Sequence, residues 1–90
     1  MWAIFTAPQM PRSNHSPRQV RLQEILAGRR SEIGLTQTAL SVLLRRPQSF
    51  VSKYENGERR LDVVELLEVC EALQLAPVDV VTDLLRVKSD

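Results

Sequence analysis

Apolar residues along this chain recur at intervals of three and four in five separate stretches, and no stretch shows the two-residue alternation of a strand. The first stretch begins at Ser16, which can cap a helix that has Pro17 at its first position and Gln19 completing a capping box. Gly34 can adopt positive φ and is expected to end this helix. Its apolar positions are Leu22, Ile25, Leu26 and Ile33.

The next two stretches predict a pair of short helices joined by a turn. Thr36 is expected to cap the first of the pair. This helix ends at Arg45-Arg46, because the residue before Pro47 is pushed away from helical angles. Pro47 opens the second helix of the pair, and Asn56-Gly57 stops it. The inward positions are predicted to be Ala39, Leu40, Leu43 and Leu44 on one helix and Phe50, Val51 and Tyr54 on the other.

The last two stretches predict a fourth helix capped by Asp62 and a fifth helix opened by Pro77. The predicted apolar positions are Val63, Leu66, Leu67, Val69, Cys70 and Leu73 on the fourth helix and Val78, Val81, Leu84 and Leu85 on the fifth. Residues 1–15 lack sustained periodicity and are predicted to form a flexible arm. We expect one domain over residues 16–86 and a frayed tail over residues 87–90. The predicted fold class is therefore all-α, with five helices.

The composition restricts the kind of site that this chain can carry. Its one cysteine, Cys70, is too few for a disulfide framework or a cysteine-based zinc site, so we expect a reducing, cytoplasmic environment without metal or cofactor. No apolar run approaches the roughly 20 residues that span a bilayer, and no membrane association is expected. The chain also lacks a Ser/His/Asp or Cys/His set and a phosphate-binding glycine-rich loop, so we do not expect an enzyme.

Charge is divided unevenly along the chain, although the net charge is only +1. Residues 1–60 carry ten arginines and lysines against four acidic residues, whereas residues 61–90 carry two against seven. Such a division indicates one end that faces a polyanion and an opposite end that repels it. The alternative is a set of ordinary solvated helix faces that happen to segregate by charge.

From Leu35 to Gly57 the chain resembles the helix-turn-helix of the lambda-repressor/Cro superfamily, also called the Xre family. The resemblance lies in the Gly-Leu-Thr-Gln sequence that enters the second helix, the Pro-Gln-Ser-Phe-Val-Ser-Lys-Tyr-Glu-Asn-Gly segment of the third, and the Glu-Arg-Arg sequence that follows. An apolar helix ending in Ala-Leu completes it, and the match extends over residues 18–85. The resemblance implies a compact five-helix bundle with a recognition helix at about residues 47–55.

The same resemblance implies roles for individual residues. Gln37 sits where the family bonds a DNA phosphate. Gln48 and Ser49 sit where it contacts bases, and Lys53 lies one turn further along. Two further sets match the family pattern: Arg30 and Glu55 as an ion pair between the first and third helices, and Asn56, Arg59 and Arg60 as loop residues that grip the duplex backbone.

Two positions depart from the family pattern. The turn before the third helix has Arg45-Arg46, where relatives commonly have glycine and a small apolar residue. Unless the turn is longer, Arg45 then has to hold a left-handed conformation, which costs of order 1 kcal/mol. Arg46 adds positive charge near the phosphates. Phe50 is bulkier than the usual small residue and can pack inward or touch a thymine methyl, and packing inward is favoured.

The residue types on the free side of the third helix suit contact with bases. Glutamine can bond bidentately to adenine, lysine can reach guanine O6 and N7, and serine permits close approach. Positions i, i+1, i+4 and i+5 share one side of a helix, so these side chains point together. We call this set the reading face: Gln48, Ser49, Ser52 and Lys53. The alternative for these four residues is a solvated helix face without a ligand.

The leading functional hypothesis is a sequence-specific regulator of transcription that binds double-stranded DNA and represses by occluding a promoter. One domain has a small footprint, so we expect a homodimer on two half-sites one helical turn apart. Candidate dimer surfaces are Leu43 if it is exposed, Val80, Val81 and Leu84 of the fifth helix, and the N-terminal arm. The alternatives are an antitoxin that also binds a protein partner, and an interaction module that no longer binds DNA.

Overall fold

The computed structural model describes residues 15–88, which form five helices and, within that range, no strand. The predicted all-α, five-helix fold class is confirmed. No helix in the described range is long and apolar enough to cross a membrane. Residues 1–14 of the predicted arm and residues 89–90 of the predicted tail lie outside the described residues. The helices are α1 Pro17–Glu32, α2 Gln37–Leu44, α3 Gln48–Glu55, α4 Val63–Leu73 and α5 Pro77–Leu85.

Local capping chemistry accounts for most helix starts. The Ser16 hydroxyl accepts the Gln19 N–H at 3.2 Å, and the Thr36 hydroxyl accepts the Ala39 N–H at 3.0 Å. Asp62 accepts the Glu65 N–H at 2.7 Å while the Glu65 carboxylate accepts the Asp62 N–H at 2.9 Å, which closes a capping box. Each bond satisfies a backbone donor that the first turn of a helix leaves without an intrahelical partner.

Two helices end on a residue in the left-handed region. Arg45 has φ 56° and ψ 42°, and Gln74 has φ 56° and ψ 44°. The Arg45 and Arg46 N–H groups bond back to the Val42 and Ser41 carbonyls, so α2 closes within its last turn. The turn between α2 and α3 is therefore short and holds a side chain in a conformation that favours glycine.

All five helices contribute side chains to one core. On α3, Phe50, Val51 and Tyr54 are buried as predicted, and the Phe50 ring meets the Tyr54 ring edge-on at 5.5 Å between centroids. The buried apolar residues are Leu22, Leu26, Leu40, Phe50, Val51, Tyr54, Val69, Cys70, Leu73 and Val80. Cys70 is a packing residue, and burial raises the pKa of its thiol.

The prediction for the inner side of α2 was partly wrong. Leu43 is 58% exposed, whereas Ser41 is buried in its place. Ser41 tolerates burial because its hydroxyl donates to the Thr38 carbonyl at 2.7 Å, which leaves no unpaired donor. The side of α2 that packs on α3 and α4 therefore includes Leu40, Ser41 and Leu44.

The apolar sides of α4 and α5 also differ from the prediction. Both helices carry apolar residues on more than one side. The helices that they pack against decide which side is buried. The predicted inward residues that are exposed are Val63 and Leu67 on α4 and Val78, Val81 and Leu85 on α5. Val80, which we considered as a dimer surface, is 3% exposed and belongs to the core, and Leu84 packs against the core one turn later. These two residues are four apart and face α1, so the stripe at Val78, Val81 and Leu85 faces outward.

Candidate nucleic-acid interface

The third helix has a buried side and an exposed side. Phe50, Val51 and Tyr54 fix it to the core, so the positions between them turn away from the protein. On the reading face Gln48, Ser49 and Lys53 are exposed, and Ser52 is half-buried. The Ser52 hydroxyl donates to the Ser49 carbonyl one turn back at 3.3 Å. The side chains of Ser49 and Lys53 make no hydrogen bond or ion pair within residues 15–88.

A buried ion pair joins α1 to the end of α3. Arg30 donates from Nε to Glu55 Oε2 at 2.7 Å and from Nη2 to Glu55 Oε1 at 2.9 Å. Its third nitrogen, Nη1, donates to the Leu35 carbonyl at 2.9 Å. The side chains are only 16% and 6% exposed, and the bond to Glu55 raises the pKa of Arg30. This fork locks the last turn of α3 onto α1 and onto the segment that enters α2.

The ion pair also orients two glutamines, one at the start of α2 and one at the start of α3. Gln37 donates from Nε2 to Glu55 Oε1 at 3.0 Å, and Gln48 donates from Nε2 to Gln37 Oε1 at 3.1 Å. A carboxylate only accepts, so the Gln37 amide must turn its NH₂ toward Glu55 and its oxygen toward Gln48. Gln48 keeps its Oε1 and one N–H for a further partner. That is the acceptor and donor pair that the Hoogsteen edge of adenine complements.

A second cluster lies behind the turn between α2 and α3. Arg59 forms a bidentate pair with Glu65, from Nη1 to Oε1 at 2.9 Å and from Nη2 to Oε2 at 2.7 Å. Arg46 approaches the same Glu65 Oε2 at 3.6 Å and reaches Glu68 at 3.3 Å. Both guanidinium carbons lie over the Phe50 ring, at 4.5 Å for Arg46 and 4.8 Å for Arg59. The Arg59 hydrogen bonds lower the pKa of Glu65 to about 2, so its carboxylate is charged at neutral pH.

The remaining residues expected at phosphates lie at the exposed end of α3 and in the loop after it. Asn56 caps α3 and donates to Glu58 Oε2 at 3.4 Å. Arg60 is exposed, and its backbone carbonyl accepts a bond from Arg59 at 3.0 Å. Gln37, at the start of α2, is half-buried beside Gln48. The structure thus brings Gln37, Gln48 and the Arg30–Glu55 pair into one network and holds Arg46 and Arg59 in another.

Ion pairing across the fold reduces the charge division seen along the sequence. Arg46 and Arg59 are paired with acidic residues of α4, and Arg21 forms a bidentate pair with Asp83 of α5 with both bonds at 2.9 Å. Acidic residues of the C-terminal part therefore offset positive charge of the N-terminal part. Lys53 and Arg60 stand on the exposed surface beside α3.

Sequence reasoning missed Glu65 as part of this region. The Asp-x-x-Glu spacing from Asp62 to Glu65 is a capping-box signal, and it could have identified the residue as structural. Its bond to Arg59 depends on the path of the loop between α3 and α4, which no local pattern specifies. Among residues 15–88, no group of three or more histidine, cysteine, aspartate or glutamate side chains is placed to hold a metal ion.

Comparison with known proteins places this arrangement among helix-turn-helix proteins. The family described as "Helix-turn-helix domain" matches residues 18–84. The structure is similar to an XRE-family like protein from Pseudomonas syringae pv. tomato str. DC3000, with 45% identity over 74% of this chain and 82% of that chain and a TM-score of 0.71. It is also similar to the restriction-modification controller protein C.AhdI from Aeromonas hydrophila, with 30% identity over 68% of this chain and 92% of that chain and a TM-score of 0.63.

A third similar structure is the clp gene regulator ClgR from C. glutamicum, with 25% identity over 76% of this chain and 88% of that chain and a TM-score of 0.67. No curated protein matches the chain. The matched part includes all five helices except the first residue of α1 and the last residue of α5.

Proposed function

Since the chain belongs to the Xre-type helix-turn-helix family, we propose that it regulates transcription by binding a specific double-stranded DNA site with α3 in the major groove. The observation that carries this proposal is the reading face, which lies on the side of α3 opposite the residues buried in the core. Phe50, Val51 and Tyr54 anchor the helix, while Ser49 and Lys53 have no partner in the described part of the protein. The names of a controller protein and a gene regulator among the similar structures support a regulatory role.

Base contacts are proposed for Gln48, Ser49, Ser52 and Lys53. Gln48 arrives oriented, because Gln37 already holds one of its N–H groups, so its amide loses little freedom on binding an adenine. Lys53 projects one turn further along and can reach guanine O6 or N7. Ser49 and Ser52 are short enough to let the helix lie close to the bases.

Phosphate contacts are proposed for the residues that flank the reading face. Gln37, Asn56 and Arg60 lie at the start of α2 and around the end of α3, where a duplex backbone would pass on either side of the groove. Arg46 and Arg59 are also proposed to contact phosphates. Each guanidinium has five N–H donors. The contacts to Glu65, Glu68 and the Arg60 carbonyl leave some of these donors for a phosphate oxygen.

We further propose a homodimer that represses by covering a promoter. The outward stripe at Val78, Val81 and Leu85 on α5 is apolar and exposed, as is Leu43 on α2, and a second copy would remove such surface from water. A two-fold dimer places two reading faces on two half-sites about one helical turn apart. Occupying a promoter in this way blocks access of the polymerase to the same DNA.

Selection of bound duplexes from a random pool tests the function directly. We expect one enriched sequence with two-fold symmetry and half-sites about 10 base pairs apart centre to centre. An enriched site without symmetry would contradict the dimer. If no sequence is enriched and no duplex is retained at about 50 mM salt, where phosphate contacts are strongest, the proposed function is wrong.

Two alanine variants then separate base contacts from phosphate contacts. Lys53→Ala should relax preference at one base pair, since a good base contact discriminates by about 1–3 kcal/mol. Arg60→Ala should weaken all duplexes alike and flatten the slope of log K against log salt by about 0.9. Lys88→Ala removes the same charge near the end of the described chain and should change neither property. Equal, uniform losses in the Lys53 and Arg60 variants would refute this division of roles.

A further inference from the structure

Glu65 connects four parts of the protein that together determine how α3 meets its target. Its carboxylate holds Arg59 of the loop after α3, and Arg46 of the turn before α3 lies 3.6 Å from the same oxygen. The two guanidinium groups lie over Phe50 of α3 itself. Glu65 in turn is fixed on α4 by the capping box with Asp62. The Glu65 carboxylate thus joins α4 to the turn before α3, to α3 itself and to the loop after α3.

The contacts of Glu65 also determine how much positive charge its neighbours present. Its side chain is 10% exposed, so its interaction with Arg59 is poorly screened by water. Arg59 and Arg46 are 38% and 33% exposed, and their charges are balanced by Glu65 and, for Arg46, also by Glu68. Each can still offer N–H groups in a fixed direction, but with little net charge behind them.

Charge and direction contribute differently to DNA binding. Phosphate attraction is independent of sequence and supplies most non-specific affinity, whereas an oriented helix is needed for contact with base edges. Two arginines without acidic partners beside α3 would by themselves increase binding to every duplex. Held by a carboxylate over the Phe50 ring, they offer N–H donors to phosphates with little net charge and also fix the position of the helix.

We propose that Glu65 is a specificity-determining residue that acts through Arg46, Arg59 and Phe50, positioning α3 and withholding positive charge from non-cognate DNA. This inference rests on the proposed function. It deepens that function by assigning to a residue of α4, outside the helix-turn-helix, control over the ratio of specific to non-specific binding. Glu65 touches neither bases nor phosphates in this scheme.

The test compares Glu65→Gln with the wild type on the selected duplex and on an unrelated duplex of equal length, over a range of salt concentrations. Glutamine keeps the shape of the side chain but removes the negative charge, so at least one arginine regains its full charge. We expect binding to the unrelated duplex to rise about fivefold near 0.15 M salt and its salt slope to steepen by about 0.9, the effect of one added phosphate contact. The regained charge attracts the selected duplex as well, so the fall that we expect in the ratio of specific to non-specific affinity measures the loss of helix positioning.

Glu68→Gln is the matched control. It makes the same charge change one turn along α4, at a side chain that is 47% exposed and that contacts Arg46 but not Arg59. Because this pair with Arg46 is exposed and screened by water, we expect only a small change in the ratio and in the salt slope. If Glu65→Gln and Glu68→Gln behave alike, net charge alone explains the effect and the inference is overturned.

Phe50→Leu tests the positioning role separately and also serves if Glu65→Gln does not fold by circular dichroism. It keeps every charge and removes the ring beneath the guanidinium groups. We expect affinity for the selected duplex to fall at least fivefold while affinity and salt slope on the unrelated duplex stay unchanged. Unchanged discrimination in this variant would overturn the positioning role. Failure of the wild type to discriminate between the two duplexes would instead overturn the proposed function itself.

Discussion

Removing Arg30 should destabilise the fold far more than removing another arginine with the same hydrogen-bond geometry. Arg30→Ala deletes two bonds to Glu55 and one to the Leu35 carbonyl, and leaves a carboxylate that is 6% exposed with Gln37 as its remaining side-chain partner. Breaking a buried pair in this way costs about 3–5 kcal/mol. Arg30 is 16% exposed, so some water can reach the site, and we expect a loss of about 3 kcal/mol.

The matched control is Arg21→Ala. Arg21 also holds a carboxylate with two bonds of 2.9 Å, but here the side chains of Arg21 and Asp83 are 42% and 37% exposed. Water screens an exposed pair, so we expect only a small loss of stability in this variant. Urea unfolding followed by circular dichroism measures both losses, and thermal unfolding should show a midpoint about 12–24 °C lower for Arg30→Ala.

Equal losses in the two variants would refute the reasoning, because the argument depends on burial and not on bond geometry. A double variant, Arg30→Met with Glu55→Met, provides a second check. Replacing both charges with apolar side chains removes the unpaired carboxylate, so most of the stability lost in Arg30→Ala should return. A double variant as unstable as Arg30→Ala would show that the loss comes from packing around Arg30 and not from the stranded charge.

Two further predictions concern the turn and Glu65. Arg45→Gly should raise the free energy of unfolding by about 0.5–1 kcal/mol in urea, because glycine holds φ 56° without the strain of a Cβ; a loss of stability would show that the Arg45 side chain itself stabilises the turn. The pKa of Glu65 is lowered from 4.5 to about 2 on folding, so its contribution is complete above pH 4.5 and is lost as the pH falls toward 2. As the pH falls, the wild type should lose at most about 3 kcal/mol through this group. Its free energy of unfolding should therefore fall toward that of Glu65→Gln. Curves that stay parallel across this pH window would contradict the assignment.

The helix boundaries could be predicted because the signals that determine them are local. Ser16, Thr36 and Asp62 each bond to a backbone N–H three residues later, a distance that the sequence itself displays. The left-handed conformation of Arg45 was expected from the resemblance, since relatives commonly have glycine in this turn, and the structure has the short turn and not the longer alternative. The fold class followed from these starts and stops together with the helical spacing of apolar residues.

The orientation of α4 and α5 could not be predicted in the same way. Both helices carry valine and leucine on more than one side, so several faces satisfied the same periodicity. Packing against α1 and α2 decided the choice, burying Val69 and Val80 and leaving Val63 and Val78 outside. Contacts between residues far apart in the sequence, such as the pair of Arg21 with Asp83, depend on that packing and have no signature along the chain.

The separation of α3 into an anchored side and a free side determines how binding preference could change during evolution. The side chains of Ser49 and Lys53 make no hydrogen bond or ion pair within residues 15–88, so under the proposed function substitutions there can alter the preferred DNA without disturbing the core. Gln48 is bonded to Gln37 and through it to Glu55, so a replacement at position 48 also leaves the Gln37 amide to be satisfied. New operators would therefore be acquired by independent single changes at positions 49 and 53, and by paired changes at positions 37 and 48.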